Sequence, residues 1–353
     1  MSSREFGVDL SRPTMEDVAE RAKVSRALVS LVMNNSPQVS DEKRESVLRA
    51  AEELGYRPNL AARQLAKRRT QTIGVLVDDL RNPFFGEVVD GIEAEAADHG
   101  FTALILNGHR DARRELDAVE TFLQLRVEGM ALVGPRVGDE DLARLGGATP
   151  CVVVASGSAH PGVDTVTTDG RWGAELAVEH LASLGHTRIA HMDGGSNVSA
   201  GERRAGYRSA MQDAGIGDLI DIRAAGDDEA DALDVIDELL SEADPPTAIF
   251  AFNDLLAAGA LNRLDDAGMA VPGNVSLVGF DTTFISALRH LSLTTVNQPK
   301  LAMGRLAVGT LLERLSDGAG EPICHTLKPE LVVRGTTGPP SNGSSRPSGP
   351  HRT

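Results

Sequence analysis

Between residues 72 and 281 short apolar runs alternate with amphipathic segments, and this alternation restricts the fold more than any other feature of the chain. The runs at 72–77, 102–107, 129–134, 151–155, 188–192, 248–253 and 276–281 have the length and β-branched content of strands. Segments 85–99, 112–125, 173–184, 202–214, 230–241 and 255–267 carry apolar residues at helical spacing. Strand followed by helix, repeated, predicts parallel sheets with helices on both faces. One large sheet would satisfy the pattern, but a break rich in Gly, Ser, Pro and Asp at 157–169 favours two lobes, the first ending there. A second crossing is expected at 293–299, then a helix over 301–315 and a late strand over 329–334. The composition from 338 to 353 predicts a disordered tail.

The first seventy residues follow another pattern. Thr14 followed by Glu16 and Asp17 suits a helix start, and Val18, Ala19 and Ala22 fall at helical spacing. Lys23-Val24-Ser25 interrupts, and Ser25 can cap a second helix reaching about Asn34. In that helix Val29 and Val32 face inward, which leaves Arg26, Ala27, Ser30 and Leu31 outside. Two short helices across a tight turn form a helix-turn-helix, whose second helix fits the major groove of DNA. Ser40 opens a third helix with Val47, Ala51 and Leu54 as its buried stripe, Gly55 as its stop and Pro58 beyond. Residues 59–69 then carry Arg63, Lys67, Arg68 and Arg69 with no acid. Such a run has no core to bury and should fold against a polyanion.

Charge divides along the same boundary. The whole chain has a net charge of -16, yet residues 1–70 hold 13 Lys+Arg against 10 Asp+Glu and the remainder 22 against 41. An acidic body repels DNA while a basic head attracts it, which orients the molecule.

Thr14-Met15-Glu16-Asp17-Val18-Ala19, Val24-Ser25, Val29-Ser30, Asn34-Asn35, Val39-Ser40 and Gly55-Tyr56-Arg57-Pro58-Asn59 resemble the DNA-binding head of the lactose/galactose repressor family. The match extends over almost the whole chain. It implies a flexible arm at 1–13, a helix-turn-helix domain at 14–58, a hinge helix at 59–70 and a two-lobed effector domain at 71–337. That domain would be of the periplasmic-binding-protein type I, an α/β architecture the chain crosses three times. The first lobe is then about 71–167 with 300–327, the second about 168–299 with 328–337. The implied function is that of a sequence-specific transcriptional regulator, a repressor, working as a homodimer on a pseudo-palindromic double-stranded DNA operator. A small polar, carbohydrate-like effector held between the lobes would control it.

For the DNA site, Arg26, Ala27 and Leu31 should face base edges, while Ser25, Ser30, Asn34 and Ser40 suit phosphates; Thr14, Asn59 and Arg63 are also expected to bind DNA. By resemblance Leu65 is the hinge leucine that wedges into the minor groove. The chain departs from the family in two places here: Leu31 replaces the usual Arg after the Val-Ser pair, and Leu28 replaces a Thr. Leucine cannot make the bidentate contact to guanine, so either Arg26 carries readout or Leu31 packs inward.

Ligands of parallel α/β lobes bind beyond the carboxyl ends of strands. That rule selects Asp78, Asn82, Phe84, Phe85, Asn107, His109, Asp111, Ser156, Asn253, Asp254 and Asp281, with Arg203 opening a facing helix. By resemblance Arg203, Asn253 and Asp281 are effector-binding residues and Phe84 an aromatic wall. Where the family often has an aromatic residue in the second lobe, Asp228 follows Asp227 here, which suits a polar ligand.

No phosphate loop, metal cluster or Gly-x-Ser-x-Gly elbow is present; Asn197-Val198-Ser199-Ala200-Gly201 lacks the first glycine. Catalysis and cofactors are therefore not expected. Cys151 and Cys324 have no metal-type spacing and read as reduced thiols. With no signal-peptide pattern and no long apolar run, the expected location is the cytoplasm, on the nucleoid. A solute-binding protein of the transport type shares the two-lobed body and is the alternative, but it would have no DNA head.

Overall fold

The computed structural model describes residues 13–33, 36–57, 69–156, 160, 162–318 and 320–341. The chain divides into two compact units, residues 1–70 and 71–353.

The first unit contains α1 (Met15–Ala22), α2 (Arg26–Met33) and α3 (Asp41–Leu54). Thr14 and Asp17 form a reciprocal capping box: Asp17 N–H donates to Thr14 Oγ1 at 3.3 Å and Thr14 N–H to Asp17 Oδ2 at 2.7 Å. Lys23 ends α1 in the left-handed conformation, which makes the sharp turn into α2. Val18, Val29, Val32, Val39 and Val47 are buried together with Ala19, Ala50 and Ala51. Ala50 thus takes the place expected of Leu54, which only packs against the edge of that core.

The second unit has twelve strands in two six-stranded sheets among the described residues. In chain order they are β1 (Thr72–Val77), β2 (Thr102–Asn107), β3 (Gly129–Val133), β4 (Cys151–Val154), β5 (Asp164–Thr168), β6 (Ile189–Asp193), β7 (Asp221–Ala224), β8 (Ala248–Ala251), β9 (Ser276–Asp281), β10 (Thr294–Asn297), β11 (Cys324–Leu327) and β12 (Glu330–Val332). The helices are α4 (Pro83–Asp98), α5 (Ala112–Gln124), α6 (Asp139–Ala148), α7 (Gly170–Ser183), α8 (Ala200–Asp213), α9 (Ala232–Ser241), α10 (Asp254–Asp266) and α11 (Lys300–Asp317). The first sheet runs β11-β5-β4-β3-β1-β2 and the second β12-β10-β9-β8-β6-β7. Pairing is parallel except for β12 on β10. The chain passes between lobes after β5, after β10 and after β11, as the family resemblance implies.

Each sheet is covered on both faces. In the first lobe Val75, Val77 and Val133 pack on Phe85, Val88 and Ile92 of α4 and on Met303 and Val308 of α11. Helices α4 and α11 approach so closely that a Cβ on Gly304 would lie 2.2 Å from Val88 O. Phe122 and Leu142 close the opposite face. In the second lobe Tyr207 and Phe250 anchor one face, Ile236 and Leu256 the other.

Several expectations need correction. Residues 164–168, read as part of a break, form the fully buried strand β5, held through Asp164 by Arg314 at 2.8 Å and by Ile323 N–H at 2.8 Å. β7, β11 and α6 were not foreseen; α6 carries Gly146 and Gly147 in its last turn, which obscures its helical pattern. The second lobe continues past 337. Gly338 N–H donates to Ser276 Oγ at 3.1 Å, and Gly338 O lies 2.8 Å from Nε2 of His186, a buried loop residue. The remaining tail, 342–353, lies outside the described residues.

Candidate functional site

The head presents one face of α2. Ser25, Arg26, Ala27 and Leu31 are exposed and Ser30 is half-buried, while Val29 and Val32 are buried. Leu31 is 40% exposed, so it does not pack inward. Ser25 spends its Oγ on the helix start, accepting Leu28 N–H at 3.2 Å. Thr14 and Ser40 are exposed at the starts of α1 and α3; Ser40 Oγ makes no capping bond. Asn34, Asn59, Arg63 and Leu65 lie outside the described residues.

The second site lies between the lobes of the second unit, at the carboxyl ends of the strands. Phe84, Phe85, Asn82, Gly134, Ala155 and Thr168 line it from the first lobe. Asn197, Ser199, Glu202, Arg203, Phe252, Asn253, Asp281 and Gln298 line it from the second. Phe84 and Phe85 meet edge to face with centroids 5.4 Å apart. Gly134 makes room for them, since a Cβ there would lie 2.7 Å from the Phe85 ring.

Arg203 is buried and clamped. Its guanidinium donates to Phe252 O, stacks 3.7 Å from the Phe280 ring centre and approaches Asp281 to 3.7 Å. Burial lowers its pKa, an effect that Asp281 opposes. Arg203 Nε has no hydrogen-bond partner among the described residues. Asp281 accepts Gln298 Nε2 at 2.7 Å, and its carbonyl accepts Lys300 Nζ at 2.6 Å. Burial raises the Asp281 pKa, and the Arg203 charge pulls it back. Asn253 caps α10 by accepting Leu256 N–H at 2.8 Å, while its amide donates to Asp227 O at 2.8 Å. Backbone strain collects at these strand ends: Ala155, Asp281 and Thr282 have φ of 59, 111 and 52°. A ring-bearing guest between Phe84 and Arg203 would meet an apolar wall on one side and a guanidinium–carboxylate pair on the other.

The strand-end rule therefore gathers Phe84, Phe85, Asn82, Arg203, Asn253 and Asp281 in one place. It does not gather the rest. Asn107, on the edge strand β2, accepts His109 N–H at 3.0 Å and is not part of this lining. Asp78 lines a neighbouring interlobe cavity with Arg110 and Asp227 and is bonded to Arg136 Nε at 2.7 Å. Asp111 caps α5 through Arg113 N–H at 2.8 Å. Ser156 is buried, 2.6 Å from His160 Nε2. Asp254 is fully buried and serves the loops behind the site. Asn197, Glu202 and Gln298 were not foreseen. Asn197 lies just ahead of α8 and Gln298 just ahead of Pro299, and such loop positions give no periodic signal.

Two family signatures match in tandem: bacterial regulatory proteins of the lacI family over residues 14–59, and a periplasmic binding protein-like domain over 178–337. The HTH-type transcriptional regulator GalR of Escherichia coli (strain K12) is 36% identical over 332 residues, 93% of this chain and 96% of that protein. The HTH-type transcriptional repressor PurR of Aliivibrio fischeri (strain MJ11) is 35% identical over 327 residues, 91% of this chain and 97% of that one. The lac repressor dimer bound to operator and the anti-inducer ONPF superposes with a TM-score of 0.83 at 30% identity, covering 93% of this chain and 100% of that one. The transcriptional regulator CelR–cellobiose complex superposes at 0.68 with 31% identity, covering 92% and 100%.

A helix-turn-helix head joined to a two-lobed α/β body defines the class: DNA-binding transcriptional regulators whose body has the architecture of a solute-binding protein. The chain belongs to the LacI family of bacterial regulatory proteins. The relatives named above are regulators, not enzymes. The transport alternative leaves the matched head without a role.

Proposed function

We propose that the protein represses transcription as a homodimer on a pseudo-palindromic operator at the nucleoid. A small polar, carbohydrate-like metabolite bound between the lobes sets its operator affinity. In the head, Arg26, Ala27 and Leu31 read base edges, Leu31 by apolar contact such as a thymine methyl, and Thr14, Ser25, Ser30, Asn34, Ser40, Asn59 and Arg63 hold phosphates. Leu65 wedges between base pairs in the minor groove. In the cleft, Arg203, Asn253 and Asp281 hold hydroxyl groups and Phe84 stacks on the ring.

The observation that carries this reading is the convergence of Phe84, Arg203, Asn253 and Asp281 on one cleft. Two structural relatives lend it support, one described as a complex with cellobiose and one with bound ribose. The effector need only discriminate between two arrangements of the dimer by roughly 1–3 kcal/mol to regulate. A thermal-shift screen with cellobiose, ribose, other sugars, polyols and nucleosides tests the cleft. At least one should raise the melting temperature, and Asp281→Ala should abolish that shift while leaving operator affinity nearly intact. An unchanged dose-response in Asp281→Ala removes Asp281 from the site.

A further inference from the structure

We propose that Asp227 is a positioning residue that ties the effector cleft to an ionic clasp, formed with Arg110 and Arg136, which holds the lobes closed. The proposal rests on reading that cleft as the effector site.

Asp227 and Asp228 follow β7 in the second lobe, while Arg110 and Arg136 follow β2 and β3 in the first. Arg110 adopts a left-handed conformation (φ 61°), with its N–H bonded to Asp78 O at 3.0 Å. Its guanidinium pairs across the gap with Asp227, and with Asp228 at 3.3 Å. Arg136 is fixed on its own lobe by Asp78 at 2.7 and 3.1 Å, and its Nη2 reaches Asp227 Oδ2 at 3.5 Å. The loop carrying it is pinned from behind: the buried Glu115 accepts the N–H groups of Arg136 and Val137 at 2.8 and 3.0 Å. Arginines of one lobe therefore converge on one carboxylate of the other.

The same aspartate also builds the cleft. Asp227 Oδ2 accepts Asn197 Nδ2 at 2.9 Å, and its carbonyl accepts Asn253 Nδ2 at 2.8 Å. Both asparagines line the effector cleft. With 28% of the Arg110 and 12% of the Asp227 side chain exposed, the pairs are partly open to solvent, so added salt still weakens them. The clasped lobes leave a cavity of about 40 Å³ between Phe84 and Arg203. Parting the lobes, as a guest larger than this space would require, breaks the pairs at Asp227. The strength of the clasp thus sets the fraction of protein open to a ligand, and with it the apparent affinity.

The test is amide hydrogen exchange of the full-length protein, without any small molecule, on peptides covering 81–86, 196–200 and 225–229. Asp227→Asn should raise exchange in these segments about twofold to fivefold, the range expected for partly exposed ion pairs. Arg110→Gln, which leaves the Arg136–Asp227 pair, should give a smaller rise, and the double variant should exceed Asp227→Asn only by what the remaining Arg110–Asp228 pair contributes. Raising NaCl from about 50 to about 500 mM should move the wild type toward Asp227→Asn and leave that variant unchanged. Arg305→Gln, which breaks a pair with Glu95 inside the first lobe, should change nothing in these segments. Unaltered exchange in Asp227→Asn, a rise spread over the whole protein, or a wild type indifferent to salt would each overturn the proposal. Since no ligand enters this measurement, absence of any thermal shift with ribose or cellobiose bears on the effector reading and leaves the clasp result standing.

Discussion

Asp254 follows Asn253 directly and faces the opposite way. Its carboxylate accepts Thr283 N–H at 2.7 Å, Thr283 Oγ1 at 3.0 Å and Thr295 Oγ1 at 2.6 Å, tying the loop after β9 to the start of β10. Burial, then the charge of Asp281, pushes its pKa up to about 7. The folded state therefore holds a proton that the unfolded chain, with an aspartate near pKa ~4, has already released. That contribution to stability is complete below about pH 4 and is lost as pH rises through about 7. Wild-type stability should accordingly fall relative to Asp254→Asn between about pH 5 and 7, although the variant loses acceptor bonds and starts weaker. Denaturant unfolding of both proteins at a series of pH values measures the difference, and parallel curves would rule out a proton on Asp254. Asp254 and Asp281 look alike in the sequence, each at the end of an apolar run. Both are buried; three donor groups of Thr283 and Thr295 distinguish the structural one from the one that lines the cleft, and such partners come from the loop after β9 and from β10, far along the chain.

Helix starts and strand alternation were legible because both are local. The Thr14–Asp17 capping box, the apolar spacing of α1 and α2, and most strands of the body needed only neighbours in sequence. What escaped notice depends on distant partners. β5 was hidden by the Gly- and Pro-containing stretch before it, yet 165–168 are Thr and Val, and Arg314 neutralises its Asp164. The burial of His186, in the loop between α7 and β6, follows from its contacts with Thr247, Ser276 and Gly338, none of them a neighbour in sequence. The capping box offers a direct check: Thr14→Ala should cost about 1 kcal/mol at the start of α1. Exchange of amides in that helix should rise about fivefold in the full-length protein, and no rise would show the cap to be dispensable. For the basic run after Pro58, Leu65→Ala should weaken binding to the operator far more than binding to unrelated duplex. Equal loss on both would reject a wedge.

At the scale of the whole molecule, charge and architecture divide the labour. The head holds a small excess of cations and the body a large excess of carboxylates. Arg110 and Arg136 show the limit of sequence reading here. Each is an ordinary surface-type residue in its own segment and becomes a cross-lobe contact only when β2 and β3 are set opposite β7. The decisive measurement is a binding titration of the full-length protein on the duplex upstream of its own coding region, over a range of salt, beside a version lacking residues 1–69. Specific affinity should fall steeply as salt rises, with a log–log slope of about -0.9 per phosphate neutralised, and should vanish in the truncated protein. Binding that ignores salt, or that survives removal of the head, would contradict the account.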